Sequence, residues 1–176
     1  MIQFKTYTVR EVLLEDAKAI NTLMIANKER FSTYFPQTLK QNLSFEASKK
    51  FTLKKVEQFK AKKEFLFIIK MNDDNQVLGL IYIKDLNWDK KQGEFAYCID
   101  ANFHGKGLIS TAVERLSEYA FKDLGLETLQ IIVYKNNIAS VKVAKKCNFI
   151  WQKTLAKEFT PENGHPLDME LYELYK

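Results

Sequence analysis

The sequence contains few cysteines and no long apolar run. Its two cysteines, Cys98 and Cys147, are too few for a disulfide framework, and neither lies at a spacing from histidine that indicates nucleophilic catalysis. The N-terminal stretch MIQFKTYTVREV lacks the apolar segment of a signal peptide, and no run approaches the ~20 apolar residues that span a membrane. We therefore expect a cytoplasmic protein with free thiols and no membrane partner, and we predict no metal site.

Two common phosphate-binding motifs are also missing. The P-loop needs Ser or Thr after Gly-Lys, whereas Gly105-Lys106 is followed by Gly107. The dinucleotide fingerprint needs a third glycine at the position that Ser110 occupies. Any phosphate-bearing ligand is therefore held by a different kind of loop.

The composition is that of a globular domain with a mild positive charge. Of 176 residues, 46% are hydrophobic and 13% aromatic, which is enough for one packed domain over residues 1–176. The 27 Lys+Arg and 22 Asp+Glu give a net charge of +5. This excess fits an anionic ligand but is too small and dispersed to indicate nucleic acid. A lysine-rich run between residues 49 and 63 is typical of a solvated helix face.

Hydrophobic periodicity divides the chain into strands and helices. Strands are predicted at 4–12, 64–71, 77–86, 95–99, 126–134, 149–159 and 165–175. Helices are predicted behind Asp16 as an N-cap, over 46–62 behind Ser44, from Ile109 to Ala120, and over 137–146. The segment 30–43 is predicted as a loop whose aromatic residues line a pocket or anchor it on the core, and 160–164 as a turn. The order β-α-α-β-β-β-α-β-α-β-β indicates a mixed α/β domain.

The centre of this pattern is a strand that leads through a Gly-x-Gly turn into an amphipathic helix. Glycine lets the backbone approach a ligand closely, and the first turn of a helix presents unpaired N–H groups. Gly105, Lys106 and Gly107 therefore indicate an anion site suited to a diphosphate, although plain turn geometry explains the two glycines equally well.

Three motifs, in order and at compatible spacing, resemble the GNAT family of acetyl-CoA-dependent N-acetyltransferases, in its RimJ/RimL-type branch. GEFAYCI resembles the family's fourth strand, NFHGKGLIS its pyrophosphate loop, and NNIASVKVAKKCNF its Asn-x-x-Ser helix. The segment ENGHPLDMELYEL resembles the last hairpin of the branch. The implied fold is the GNAT fold, with a central mixed, mostly antiparallel twisted sheet of about seven strands and helices on both faces.

The chain departs from the family pattern at three informative positions. Asn102 stands where Arg or Gln is usual, and Asn148 replaces the glycine of a Gly-Phe pair. Ala144 falls where many relatives outside the branch carry a tyrosine proposed as general acid, so that role is open here.

The resemblance implies acetyl-CoA as cofactor, with its diphosphate on the backbone of the loop and its arm along the central strand. The cofactor-binding residues that it implies are Cys98, Ile99, Asp100, Phe103, His104, Gly105, Lys106, Gly107, Leu108, Ile109, Ser110, Asn137 and Ser140. N-capping by Asn137 and back-bonding by Ser140 are the structural alternatives for the last two.

The chemistry requires a base for the attacking amine, and Glu94 matches a catalytic glutamate of several relatives. It would act directly or through a water, and the alternative is a strand-end carboxylate in solvent or in an ion pair. His165 is the second candidate base, and Ser140 is implied to lie near the sulfur, where a hydroxyl would assist the leaving thiolate. We expect direct attack by a neutral amine without an acetyl-enzyme.

The acceptor is predicted by analogy with the branch to be a protein N-terminal α-amine, for example of a ribosomal protein. Tyr34, Phe35, Tyr97 and His165 are the predicted substrate-binding residues. The alternatives are a small amine, such as a polyamine or an antibiotic, and a non-catalytic acyl-CoA sensor. Branch relatives are often dimers, which leaves a homodimer open.

Overall fold

The computed structural model describes residues 1–161 and 164–176, and these form two compact units. The first unit comprises Met1–Tyr82 and Tyr97–Lys106, and the second comprises Ile83–Ala96 and Gly107–Lys176. The chain crosses from one unit to the other within the fourth and fifth strands and again after Lys106. That residues 1–176 form a single domain stays a prediction.

The described residues form eight strands and six α-helices. The strands are β1 (Ile2–Gln3), β2 (Tyr7–Glu11), β3 (Phe65–Met71), β4 (Val77–Asn87), β5 (Gln92–Ile99), β6 (Thr128–Tyr134), β7 (Ile150–Phe159) and β8 (Leu167–Tyr175). The helices are α1 (Ala17–Ala26), α2 (Lys28–Tyr34), α3 (Pro36–Lys40), α4 (Phe45–Lys60), α5 (Leu108–Lys122) and α6 (Ile138–Lys146). The predicted strands and main helices are all present, with ends that differ by a few residues.

The strands pair in the order β1-β2-β3-β4-β5-β6-β8-β7. The β1–β2, β2–β3, β6–β8 and β7–β8 pairs are antiparallel, and the β5–β6 pair is parallel. The predicted mixed, mostly antiparallel sheet is therefore confirmed. It has eight strands rather than about seven, because the short strand β1 pairs with β2 at Ile2 and Val9.

The core of the first unit contains the apolar runs of β3 and β4. Every residue from Phe65 to Ile69 is buried, and so is Val77–Tyr82 of β4, as expected for strands covered on both faces. Ser44 caps α4 as predicted, since its hydroxyl accepts from the Ala47 N–H at 3.2 Å.

Asp16 occupies the N-cap position of α1, as predicted, but its side chain makes no capping hydrogen bond to that helix. Its buried carboxylate accepts from the Leu13 N–H at 2.7 Å and forms an ion pair with Arg10 of β2 at 2.7 Å. The Arg10 guanidinium outcompetes the helix N–H groups because a bidentate, charge-assisted pair is stronger than a neutral hydrogen bond.

The segment 30–43 is not the loop that was predicted. It contains most of α2 and all of α3, and Pro36 occupies the first turn of α3, where its missing N–H costs nothing. Phe31 is buried in the core, while Tyr34 is exposed. The aromatic residues that were read as loop anchors thus lie on, or cap, helices.

The lysine run of α4 is not uniformly solvated. Lys55 is buried, and its ammonium lies 2.5 Å from the Glu64 carboxylate and over the ring of Tyr82. The solvated-face prediction is therefore wrong for this residue. Pairing with a carboxylate and a ring offsets the cost of removing the ammonium from water.

In the second unit, the helix predicted after the glycine turn is present as α5. The residues at helical spacing are buried along one face, namely Ile109, Ala112, Val113, Leu116 and Ala120. Strand β8 lies between β6 and β7, with Leu129 opposite Leu174. Positions 162 and 163 of the predicted turn lie outside the described residues.

Among residues 1–161 and 164–176, no helix is both long and apolar enough to cross a membrane. The same residues contain no group of three His, Cys, Asp or Glu side chains that could hold a metal ion.

The close approach of β4 and β5 in the first unit predicts the effect of adding a methyl group. A Cβ at Gly79 would lie 2.5 Å from the backbone carbonyl oxygen of Cys98, so the strands must separate. We expect Gly79→Ala to lower the free energy of unfolding by about 1–3 kcal/mol, measured by urea denaturation. Gly93→Ala is the control, because its nearest atoms are movable side-chain ends at 3.1–3.2 Å. Equal losses for the two variants would contradict this explanation.

Candidate active site

Glu94 lies on β5, with a side chain that is 14% exposed. The residues beside it, Gly93 and Phe95, are buried, so the alternation of the strand turns Glu94 to the opposite face. Its carboxylate lies 2.9 Å from the ammonium of Lys84 on β4, within the second unit. The ion-pair alternative from the sequence is therefore observed, and the role of Glu94 as a base stays a prediction.

Burial and charge act on Glu94 in opposite directions. Burial raises the pKa of the Glu94 carboxyl, and the charge of Lys84 lowers it, with a net rise above the usual range. Repulsion from the carboxylates of Asp85 and Glu158 also raises the pKa of Glu94, by less than burial does. A carboxyl whose pKa is raised holds a captured proton more firmly, which suits a general base.

The loop that enters the glycine turn is built on a buried carboxylate in the first unit. Asp100 accepts from the Asn102 N–H at 2.8 Å and from the Asn27 side-chain amide at 3.0 Å. The side-chain carbonyl oxygen of Asn27 accepts a hydrogen bond from the Ala101 N–H at 2.9 Å. Asn27 at the end of α1 thereby fixes the short 3-10 turn over Ala101–Phe103.

The backbone of Asp100 is engaged within the protein. Its N–H donates to the Leu78 carbonyl at 2.7 Å, and its carbonyl accepts from Phe103. In this conformation the Asp100 N–H is therefore not a donor for a cofactor arm or an oxyanion. The residue instead stabilises the conformation of the loop through its own hydrogen bonds. Cys98 and Ile99, which precede it on β5, are buried.

The remaining predicted loop residues of the first unit differ in exposure. His104 and Gly105 are exposed, and Phe103 is half-buried. The ammonium of Lys106 lies 4.7 Å from the centre of the Phe103 ring. The side chain of Lys106 therefore lies along the loop.

The second unit begins with the glycine that starts α5. Gly107 has a φ of +79°, which favours glycine, and no side chain caps the helix. Leu108 is half-buried, while Ile109 and Ser110 are buried and follow in the first turn. A Cβ added at Gly107 would lie 3.6 Å from the ammonium nitrogen of Lys146. Uncapped N–H groups, a bare glycine and a nearby cation fit a diphosphate.

Asn137 caps α6 through its side-chain oxygen, which accepts from the Ser140 N–H at 3.3 Å. The N-cap alternative is thus observed for Asn137, and contact with a coenzyme stays a prediction for both residues. Ser140 is half-buried, and Ala144, one turn further, is fully buried.

The predicted substrate-binding residues are divided between the two units. In the first unit, Phe35 lies 5.8 Å from the ring of Tyr82, while Tyr34 is exposed and Tyr97 is half-buried. In the second unit, His165 is exposed. Their roles stay predictions.

Sequence reasoning missed Lys84, Asn27 and Lys146. Lys84 ends the apolar run of β4, but its partner is known only once β4 and β5 are placed side by side. Asn27 and Lys146 likewise lie beside residues that are distant in the sequence, Asp100 and Gly107. These contacts arise from tertiary structure and leave no local signal.

The Asn27–Asp100 contact predicts a loss of stability when it is broken. Asn27→Ala removes a donor from a buried carboxylate and an acceptor from the Ala101 N–H. We expect the free energy of unfolding to fall by about 2–4 kcal/mol in urea denaturation. Asn102→Ala, at an exposed position of the same turn, should change it by less than about 0.5 kcal/mol. A similar loss for both variants would contradict the prediction.

Comparison with known proteins gives matches over most of the chain. A family model described as "Acetyltransferase (GNAT) domain" matches residues 7–150. The "Probable N-acetyltransferase YjcK" of Bacillus subtilis is 25% identical over 165 residues, which cover 93% of this chain and 91% of that protein. A spermidine N(1)-acetyltransferase of Escherichia coli is 30% identical over 86 residues, which cover 49% of this chain and 46% of that protein.

Solved structures share the fold. A ribosomal-protein-S5-alanine acetyltransferase from Vibrio fischeri has a TM-score of 0.92 at 22% identity and covers 99% of this chain and 95% of its own. RimL, a ribosomal L7/L12 alpha-N-protein acetyltransferase solved with coenzyme A, has a TM-score of 0.90 at 18% identity, covering 98% and 95%. At these identities the likeness shows the fold alone. Because the family model spans well over half of the sequence, the predicted family is confirmed, and this chain belongs to the GNAT acetyltransferase family.

Proposed function

We propose that this chain transfers an acetyl group from acetyl-CoA to the α-amine of a protein N-terminus, with Glu94 as the base. Family membership establishes an acetyltransferase that uses acetyl-CoA. The observation that carries the proposal for this chain's own residues is the largely buried Glu94 carboxylate, whose pKa is raised by burial although it pairs with Lys84.

The residues that would hold the cofactor lie in the loop 103–106 and in the first turn of α5. Backbone N–H groups after Gly107 would bind the diphosphate, and Lys146 would add positive charge. Acetyl-CoA supplies an activated thioester when it is bound.

Only a neutral amine can attack, and a base is needed to take the proton that its nitrogen sheds as the bond to the acetyl carbon forms. A free α-amine has a pKa of ~7.7–8.0, against ~10.4 for lysine, so an α-amine is far more often neutral near pH 7. Glu94 would take the proton that the amine releases as its bond to the acetyl carbon forms, directly or through a water. The hydroxyl of Ser140 would donate to the sulfur as the thiolate leaves.

The cysteines support direct attack without an acetyl-enzyme. Burial raises the pKa of the Cys98 thiol to about 12 and that of the Cys147 thiol to about 11. Since the thiolate is the nucleophilic form, neither residue is activated near neutral pH.

A protein N-terminus is favoured as acceptor by the segment 30–43, which has no acidic residue and presents the exposed Tyr34 and the half-buried Phe35. The solved relatives named above act on ribosomal proteins according to their names, which supports a ribosomal N-terminus as the first class of peptide to test.

A small polyamine is the second candidate acceptor, because two further carboxylates act on Glu94. Asp85 and Glu158 both raise its pKa by repulsion, and such a group would attract a ligand with more than one positive charge. The spermidine acetyltransferase relative is consistent with this candidate. Competition between spermidine and a peptide with a free α-amine, followed by mass spectrometry, separates the two acceptors.

Replacement of the proposed base gives the main test. Glu94→Gln keeps the size of the side chain but cannot take a proton, so kcat for acetylation of an α-amine peptide should fall ~100-fold or more. The dissociation constant for acetyl-CoA, measured by calorimetry, should not change. Glu127→Gln is the control, since Glu127 pairs with Lys91 at the surface.

Two other outcomes would point elsewhere. Undiminished acetylation by the Glu94→Gln variant would show that another group is the base. Tight binding of acetyl-CoA by the wild-type chain without acetylation of either a peptide α-amine or spermidine would favour the sensor alternative.

The diphosphate position is tested by adding a negative charge at the start of α5. Gly107→Glu should weaken acetyl-CoA binding at least ~10-fold, because the carboxylate would repel the phosphates. Gly125→Glu is a matched control, since Gly125 also has a left-handed φ, of +73°, and open space around it. Both variants bear the same backbone strain, so equal weakening of binding would remove the support for a diphosphate at Gly107.

A further inference from the structure

Lys84 makes two contacts with carboxylates at once. Its ammonium lies 2.9 Å from Glu94 on the neighbouring strand and 2.5 Å from Asp85, the next residue in its own chain. The Lys84 side chain is 30% exposed and that of Asp85 is 70% exposed, so the pair with Glu94 is the more buried of the two. A buried pair is screened less by water and salt, which makes it the stronger electrostatic contact.

Asp85 is held beside Lys84 by an uncommon backbone conformation. Its φ is +49°, in the left-handed region that aspartate and asparagine adopt more readily than most residues. Asp85 is an exposed residue of β4 that shares the Lys84 ammonium with Glu94.

We propose that Lys84 is a positioning residue that keeps Glu94 ionised and oriented for proton transfer, and that Asp85 weakens this hold by sharing the ammonium. The proposal rests on Glu94 being the base of the acetyl transfer. Lys84 would not itself touch the acetyl group or the acceptor.

Lys84 is poorly suited to be the acetyl acceptor in its own right. Burial lowers the pKa of the Lys84 ammonium, but Glu94 and Asp85 outweigh burial, and the net pKa is raised. The amine is therefore held in its charged form, which has no lone pair for attack. It serves as a fixed counter-charge.

The charged groups around Glu94 define what each substitution should do. Lys84 attracts the carboxylate from β4, whereas Asp85 on β4 and Glu158 on β7 repel it. On β6 the residue opposite Glu94 is the neutral Gln130. Without Lys84, only burial and the two repulsions act on Glu94, so the pKa of its carboxyl should be higher than in the wild-type chain. Removing the charge of Asp85 should act in the opposite direction.

The test is the pH dependence of kcat/KM for acetylation of a peptide with a free α-amine. For Lys84→Met, the ratio of kcat/KM at about pH 6 to that at about pH 9 should fall roughly tenfold below the wild-type ratio. Lys84→Arg keeps the positive charge, so its ratio should lie close to that of the wild-type chain. Asp85→Asn, which tolerates the same backbone conformation, should shift the ratio in the opposite direction, above the wild-type value.

Lys91→Met is the matched control, because Lys91 pairs with a carboxylate, Glu127, that is exposed. Its ratio should equal that of the wild-type chain. Opposite shifts for Lys84→Met and Asp85→Asn are not expected from a merely structural role, because loss of packing lowers activity at every pH. Shifts in the same direction, or no shift for Lys84→Met, would overturn the proposal.

A readout that needs no acceptor separates this proposal from the proposed function. The carboxyl carbon of Glu94 can be titrated by carbon-13 NMR and assigned by its absence in the Glu94→Gln variant. Its midpoint should rise in Lys84→Met and fall in Asp85→Asn. If the midpoints move while Glu94→Gln leaves acetylation intact, Lys84 holds the charge but Glu94 is not the base. If Glu94→Gln abolishes acetylation and neither the midpoint nor the pH ratio moves, the role of Lys84 is refuted and the base assignment stands.

Discussion

A charged carboxylate that is largely withdrawn from water, Glu94, is the constraint on which the chemistry proposed for the second unit depends. A buried carboxylate loses hydration and becomes a stronger base, but it is useful only while it stays ionised. Lys84 supplies the opposing effect at 2.9 Å, and the exposed Asp85 moderates it. The net rise in the pKa of Glu94 is thus the balance between burial, which raises the pKa, and the ion pair with Lys84, which lowers it.

The proposed cofactor residues depend on backbone geometry more than on side-chain charge. In the first unit, Asn27 and the buried Asp100 determine the turn over Ala101–Phe103. In the second unit, the left-handed Gly107 starts α5 and leaves the first N–H groups without a side-chain cap. This arrangement explains why Asn102 can stand where relatives have Arg or Gln, since backbone groups would carry the diphosphate.

Local patterns predicted much of the fold, and contacts between distant residues account for what they missed. The cap at Ser44 and the buried face of α5 could be read from spacing, because each depends on residues within a few positions of one another. The ion pairs of Asp16 and Lys55 were not predicted, because their partners, Arg10 and Glu64, lie six and nine residues away, outside the spacing of one helix face. Glu94 was selected by resemblance to a family motif. Its partner Lys84 could not be predicted, since the register of β4 against β5 and the left-handed φ of Asp85 within β4 are not visible in the sequence.

The placement of the cofactor is tested most directly by nitrogen-15 NMR of the 176-residue chain during titration with coenzyme A. The mechanism predicts that the amide signals of Gly105, Gly107 and Ser110 shift together, with a smaller change at Ser140. The first unit also contains a cleft of about 530 Å³ beside α1, lined by Lys18, Lys70 and Asp100 among others. Shifts confined to the residues around that cleft, with Gly107 unaffected, would contradict the placement of the cofactor and the chemistry that follows from it.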